Sequence, residues 1–278
     1  MIDIMGIINI TDDSFYPDSR CLDADGFPDI EKVVRRAGRM LSEGATILDI
    51  GACSTRPGSE PAGEDVEWSR LAPVLEKIWR SFPDAVVSID TYWSSVIRKA
   101  YALLYSIDGS PSGRLVVNDI SAGAYDPLML QTAGSLGLVY IAMHMRGTPA
   151  TMSGLCDYGD VTEEVIRYFR EFETKAAAAG IREWIIDPGF GFAKTVDQNY
   201  RLLRELDRLS VLGNRRILIG VSRKSMVYRL FGITPEESLP QTQVLHLAAL
   251  ERGASILRVH DVAEAVRTVT VFRKLQGK

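Results

Sequence analysis

Cysteine is scarce in this chain: three in 278 residues, Cys21, Cys53 and Cys156, with no CxxC spacing. That number and placement give neither a disulfide framework nor a zinc site, so they read as packing residues of a protein from a reducing compartment. Also missing is any run of the roughly 18 apolar residues that a membrane span requires. The N-terminal MIDIMGIINIT has no basic leader and no small-residue cleavage site, so a cytoplasmic protein is expected. No block of like charge occurs either. Lysines and arginines (32) are interleaved with 36 acids for a formal net charge of −4, which leaves no footprint for nucleic acid or an anionic membrane. An anion would have to be held by a local group. Internal repeats, linkers and low-complexity segments are absent as well.

What is present is an ordinary globular composition, 46% hydrophobic and 24% charged, on a chain long enough for one α/β barrel domain spanning residues 1–278. Short β-branched runs alternate with stretches of helical period, as in parallel βα units. Eight strands are predicted: IMGIIN (4–9), TILDI (46–50), VVSID (86–90), RLVVND (114–119), LVYIAM (138–143), WIIDP (184–188), RILIGVS (216–222) and SILRVH (255–260). Eight helices are expected with them. Ile30, Val33, Val34, Ala37, Met40 and Leu41 form one helical face, and Leu71, Val74, Leu75, Ile78, Trp79 and Phe82 another. A last helix carries Val262, Val266 and Val269 behind Asp261, a suitable cap. The segments at 106–114 and 151–160 are rich in turn formers and read as surface connections. Strands apolar on both faces and right-handed βα units close most simply into a single (β/α)8 TIM barrel; an open doubly wound sheet is the alternative.

A barrel gathers its site at the carboxyl ends of its strands, and the polar residues fall there: Asn9, the GACSTRPGS segment (51–59), Asp90, Asn118, Asp119, His144, Arg146, Asp187, SRKS (222–225), Arg258 and His260. Any one such acid could simply cap a helix. Asp187 is harder to explain that way, because Pro188 and two glycines follow it before a helix can start; its carboxylate calls for donors that a ligand could supply. GFGFAK (189–194) nearly matches a dinucleotide fingerprint, yet Lys194 stands in place of the third glycine and no ribose-binding acid follows. Its glycines would instead let a flat ring lie against backbone. Arg56, Arg223, Lys224 and Arg258, with His260 nearby, would make the local anion site, although Arg223 could equally pair with a neighbouring acid. His144 and His246 read as packed residues and not as ligands.

Seven segments in this order, MGIINITDDSF (5–15), DIGACSTRPGS (49–59), SIDT (88–91), VNDISAG (117–123), DPGFGFAK (187–194), GVSRKSM (220–226) and RVHDV (258–262), resemble the dihydropteroate synthase family of pterin-binding enzymes. The resemblance covers nearly the whole chain. It implies a transferase of folate biosynthesis that joins 6-hydroxymethyl-7,8-dihydropterin pyrophosphate to p-aminobenzoate with release of pyrophosphate. It implies that Asp187, Asn118 and Asp90 take the guanidine-like edge of the pterin, that Lys224 reaches its carbonyl and a ring nitrogen, and that Arg258 stacks on it. Met143 and Phe192 would line the pocket; Thr55, Arg56 and His260 would meet substrate on the anion side, and Ser225 would help bind p-aminobenzoate. Asp90, Asp187, Lys224 and Arg56 would carry the catalysis. Asn9 would hold Mg2+, the first two loops would fold over the site, and the molecule would be a homodimer.

One departure from the family pattern concerns the first loop, where TDDSFYPDSR is one residue longer than usual, which leaves the part played by Asp18 open. A methyltetrahydrofolate-dependent methyltransferase would share the pterin pocket but have no use for the anion-side residues; a non-catalytic pterin-binding protein would bind without releasing pyrophosphate.

Overall fold

A computed structural model describes residues 1–10, 27–53, 63–111 and 113–277. Thr55, Arg56, Asp18 and Cys21 lie outside the described residues. The strands are β1 (Asp3–Asn9), β2 (Ile47–Gly51), β3 (Val86–Asp90), β4 (Leu115–Asp119), β5 (Val139–Met143), β6 (Trp184–Asp187), β7 (Leu218–Ile219) and β8 (Ile256–Val259). The helices are α1 (Ile30–Glu43), α2 (Glu64–Ser81), α3 (Ser94–Asp108), α4 (Met129–Ser135), α5 (Val161–Ala178), α6 (Val196–Arg204), α7 (Ser225–Phe231), α8 (Leu239–Glu251) and α9 (Val262–Leu275).

All neighbouring strands pair in parallel, in the order β6-β5-β4-β3-β2-β1-β8-β7. The two ends of this ribbon meet through a single bridge, Ile186 to Ile217, where the Ile186 N–H donates to the Arg216 carbonyl at 3.0 Å. The sheet is therefore a barrel and not the open alternative, with one thin seam.

Two expectations need correction. The seventh strand holds only Leu218–Ile219 of the predicted 216–222: at one end the Ile217 N–H donates to the Ser255 hydroxyl, outside the backbone ladder, and at the other the chain turns, the Lys224 N–H donating to the Val221 carbonyl at 3.2 Å. The β7–β8 connection contains two helices where one was expected, so nine α-helices occur among the described residues. Helix α7 stops at Gly232, whose left-handed φ of 63° ends it, and Pro240 in the first turn of α8 suits a new start.

Alternation along each strand divides the core. Met5, Ile47, Val116, Ile141, Ile185, Leu218 and Ile256, from seven different strands, pack together as the barrel's inner layer. The positions between them, such as Ile4, Leu48, Val117, Tyr140, Ile186 and Leu257, join the larger cluster beneath the helices. Two residues on from the inner layer, the same inward register reaches Ile7, Asp49, Asn118, Met143, Asp187, Gly220 and Arg258. The layer above an apolar floor is thus largely polar.

The helical faces predicted for α1 and α2 bury Val33, Ala37 and Met40, and Leu71, Val74, Leu75, Ile78 and Trp79. Glu67 shares the buried face of α2, and among the described residues its carboxylate oxygens meet no well-formed hydrogen bond, although the nearby Thr91 hydroxyl opposes the effect of burial. Burial pushes its pKa from 4.5 to about 8. The native state therefore keeps a proton that the unfolded chain has lost, and this group's contribution to stability, fully present below pH 4.5, is lost as pH rises through about 8. Glu67→Gln is expected to flatten that decline by up to ~1.4 kcal/mol per pH unit in urea titrations. An identical pH profile for the variant would show that Glu67 is not the group responsible.

Candidate active site

Asn9 pairs in register with Gly51, Gly51 with Asp90, and Asp90 with Asn118, so residues at or next to the ends of four adjacent strands lie in one row. Within it, Arg258 from β8 donates through Nε to Asp49 Oδ2 at 2.7 Å and through NH2 to Asp90 Oδ2 at 2.8 Å. The Asn118 amide donates to both Asp49 oxygens, at 3.1 and 3.3 Å. The Asp49 side chain has no exposed surface and that of Arg258 only 18%. Burial of two carboxylates around one guanidinium is tolerable because both Asp49 oxygens find donors and Asp90 Oδ2 takes the guanidinium. Burial also raises the pKa of Asp90, against the pull of Arg258 and with the help of Asp49, Asp119 and Asp187. Carboxylates take the Nε and NH2 donors of Arg258 in its plane, and the flat faces of its guanidinium are the surfaces suited to an aromatic ring.

Across the barrel mouth, β6 ends in Asp187, buried, with Oδ1 accepting from the Gly189 N–H at 2.8 Å. Burial raises its pKa, while Lys224 opposes that shift. Lys224 caps α7 and donates from Nζ to the Phe190 carbonyl at 2.6 Å; its Nζ lies 4.8 Å from the centre of the Phe192 ring. Burial lowers its pKa to about 8. A carboxylate and an ammonium therefore stand close to each other on either side of the seam, each desolvated enough to welcome a polar ligand. Met143, paired in register with Asp187, packs with Tyr92, Ile120 and the partly buried Phe192, Trp93, Tyr125 and Cys53 to give an apolar rim.

Several other expectations resolve differently. Gly189 has φ +70°, and a Cβ there would sit 2.0 Å from the His144 carbonyl oxygen, so the protein's own backbone already requires glycine at this position. Arg223 is bound to Asp261 through Nε and NH2, both at 2.8 Å, and to the Pro235 and Glu236 carbonyls. Asp261 accordingly makes no side-chain cap for α9. Arg223 and Arg258 are both matched to acids, so of the four cationic residues expected at the anion site Lys224 is the one left unmatched to an acid among the described residues, with His260 nearby; Arg56 lies outside them.

His260 follows β8, its N–H donating to the Ser222 hydroxyl at 3.2 Å. Burial and then the Arg36 and Arg258 charges depress its pKa to about 3, so it enters the site as a neutral donor. Asn9 is half-buried at the end of β1, its amide without a partner among the described residues. Ser225 opens α7 beside Lys224. Asp119 faces away from the barrel interior: its oxygens take the Ser121 N–H and hydroxyl, the Gly123 N–H and the Tyr140 hydroxyl, a turn brace. His144 is packed, as expected, and bonds Lys194 through Nδ1 at 3.0 Å.

Two residues escaped the sequence reading. Asp49 lies at the centre of the polar layer; the available signal was a carboxylate in mid-strand, two residues after the inward Ile47. Lys194 is buried against His144 and two carbonyls; it stood out only as a failed glycine.

A family profile described as pterin binding enzyme matches residues 5–260. Among curated proteins, the dihydropteroate synthase of Escherichia coli K12 is 37% identical over 96% of this chain and 89% of its own length. That of Haemophilus influenzae is 37% identical over 97% of this chain and 92% of its own. Among solved structures, Yersinia pestis dihydropteroate synthase in a sulfonamide complex superposes with a TM-score of 0.89 at 34% identity, covering all of this chain and 95% of that one. The Xanthomonas albilineans enzyme with 4-aminobenzoic acid gives 0.85 at 36% identity, over 100% and 94%. The Burkholderia cenocepacia enzyme with 7,8-dihydropteroate gives 0.83 at 36%, over 100% and 92%.

Proposed function

We propose, from the premise that this chain belongs to the pterin-binding enzyme family and aligns along nearly its whole length with dihydropteroate synthases, that it transfers the pterinylmethyl group of 6-hydroxymethyl-7,8-dihydropterin pyrophosphate to p-aminobenzoate. The observation that carries this reading is the convergence of Asp187, Lys224, Asn118, Asp90 and Arg258 on one barrel mouth, donors and acceptors in the pattern a pterin presents. Asp187 accepts from the guanidine-like edge of the ring, Lys224 donates to its carbonyl side, and a flat face of Arg258 supports it. Met143 and Phe192 supply the apolar border.

Pyrophosphate departure leaves positive charge delocalised over the pterinylmethyl unit and negative charge on the leaving group. Asp90 and Asp187, fixed before reaction in a poorly hydrated mouth, stabilise the first. On the other side His260 donates neutral hydrogen bonds, with Thr55 and Arg56 assigned by resemblance to the same end, and Ser225 to the arylamine. Mg2+ fits this site: Asn9 offers one unengaged amide oxygen, and Mg2+ takes most of its ligands from substrate phosphates and water. Held there, it would neutralise charge on the leaving group.

A pyrophosphate-release assay with dihydropterin pyrophosphate, Mg2+ and p-aminobenzoate, each omitted in turn, tests the reading. Release only with all three is expected; tight pterin binding without release would overturn it, and would favour a methyltransferase or a non-catalytic binder. We also propose a homodimer, supported by exposed Leu230 and Phe231 on α7 and Val244 on α8; a monomer in sedimentation velocity at micromolar concentration would refute that. No described helix is long and apolar enough to cross a membrane; three cysteines without a CxxC spacing suit a reducing compartment, and we place the protein in the cytoplasm.

A further inference from the structure

The loop from Asp187 to Thr195 is held from two directions. On one, Lys224 Nζ takes the Phe190 carbonyl. On the other, Lys194 Nζ donates to the Gly189 carbonyl at 2.9 Å, to the Phe192 carbonyl at 3.0 Å, and bonds His144 Nδ1 at 3.0 Å. Three donors meet three acceptors, which is the full capacity of an ammonium. Asn199 completes the brace: its Oδ1 accepts from the Gly191 N–H at 2.8 Å and its Nδ2 donates to the Lys194 and Thr195 carbonyls at 3.2 and 2.7 Å.

We propose that Lys194 is a positioning residue for the ring-binding loop: by drawing the Gly189 and Phe192 carbonyls to one point and tying them to His144, it fixes how Asp187 and Phe192 face the site. The proposal rests on the reading that Asp187 holds the pterin.

The choice of lysine needs an explanation, since Asn199 shows that neutral amides can brace the same loop. Lys194 is buried, and burial lowers its pKa to about 7, offset in part by Asp187. An uncharged donor would avoid that desolvation. What an amide cannot do is lower the pKa of Asp187, which the Lys194 charge does. The groups that act on Lys194 are Asp187 at the end of β6, Lys224 at the start of α7, Arg146 after β5 and Cys156 in the connection before α5. His144 is held neutral, first by burial and then by Lys194 and Arg146, so its Nδ1 can accept from the ammonium. The charge on Lys194, which grows as pH falls through about 7, opposes protonation of Asp187. Loop shape and carboxylate charge are thereby served by one side chain.

The test compares Lys194→Met and Lys194→Gln with the wild type, using 6-hydroxymethylpterin in calorimetry across pH and the KM for p-aminobenzoate. Lys194→Met is expected to weaken pterin binding about tenfold while the p-aminobenzoate KM stays within about twofold. Lys194→Gln restores a donor without charge; it should recover affinity at mildly alkaline pH yet lose it on acidification about one pH unit before the wild type does. Should Lys194→Met fail to fold, the Lys194→Gln profile decides alone. Pterin affinity and an acid limb that coincide with the wild type overturn the proposal, and so do equal losses for pterin and p-aminobenzoate, which mark general loosening. Asp187→Asn is measured alongside. If it binds pterin like the wild type, the ring-site reading falls and this proposal with it; if only Asp187→Asn loses binding, Lys194 alone is released from the role.

Discussion

Asp187→Ala is expected to lose pterin binding by about 10²- to 10³-fold, since hydrogen bonds from a ligand edge to an ionised carboxylate are worth about 1.5–3 kcal/mol each. Two acceptor oxygens disappear from the ring edge, and Lys224 loses the nearby charge that supports its protonated form. The fold should survive, because the hydrogen bond that Asp187 makes within the protein is a local one to the Gly189 N–H. Calorimetry with the bare pterin, with circular dichroism as the control, reads both quantities. Unaltered affinity in a folded variant would remove Asp187 from the ring site.

Arg258→Met should act on the molecule as a whole. It leaves Asp49 and Asp90 facing each other in a buried layer with only the Asn118 amide to share, and breaking such a pair costs about 3–5 kcal/mol. A drop in Tm on the order of 10 °C follows for a chain of this size. The loss should be smaller at low pH: burial already raises the folded pKa of Asp90 against the pull of Arg258, and without Arg258 it rises further, so the native state is relatively favoured while Asp90 stays protonated and weakens as pH rises. Asp49→Asn combined with Arg258→Met should recover part of the loss. A double variant no better than Arg258→Met in thermal melts would show that charge burial is not the cause.

Much of this arrangement was legible before coordinates. Strand ends can be read because most of the eight β-branched runs carry a polar residue at or next to their carboxyl end, and that pattern, with the family resemblance it suggests, points to Asp90, Asn118, Asp187, Lys224 and Arg258. Pairing was not legible. Whether Arg223 meets a ligand or an acid depends on the loop carrying Asp261 across to it, a contact 38 residues apart, and periodicity carries no information at that range. Gly189 illustrates the same limit: the need for a missing Cβ was visible, but its cause, the His144 carbonyl, is 45 residues away in sequence by the numbering of the two. Asp49 was passed over because a carboxylate inside an apolar strand looks like a strand residue until the inward alternation is counted.

The thin join between β6 and β7 gives the molecule a mechanical polarity. Asp187 and Lys224 are anchored to opposite lips of that join, and a ring held by both would work as a clasp, tying together the two ends of a ribbon that otherwise share one bridge. Substrate occupancy would then tighten the whole cylinder, and an empty cylinder would breathe first at the place where its cargo belongs.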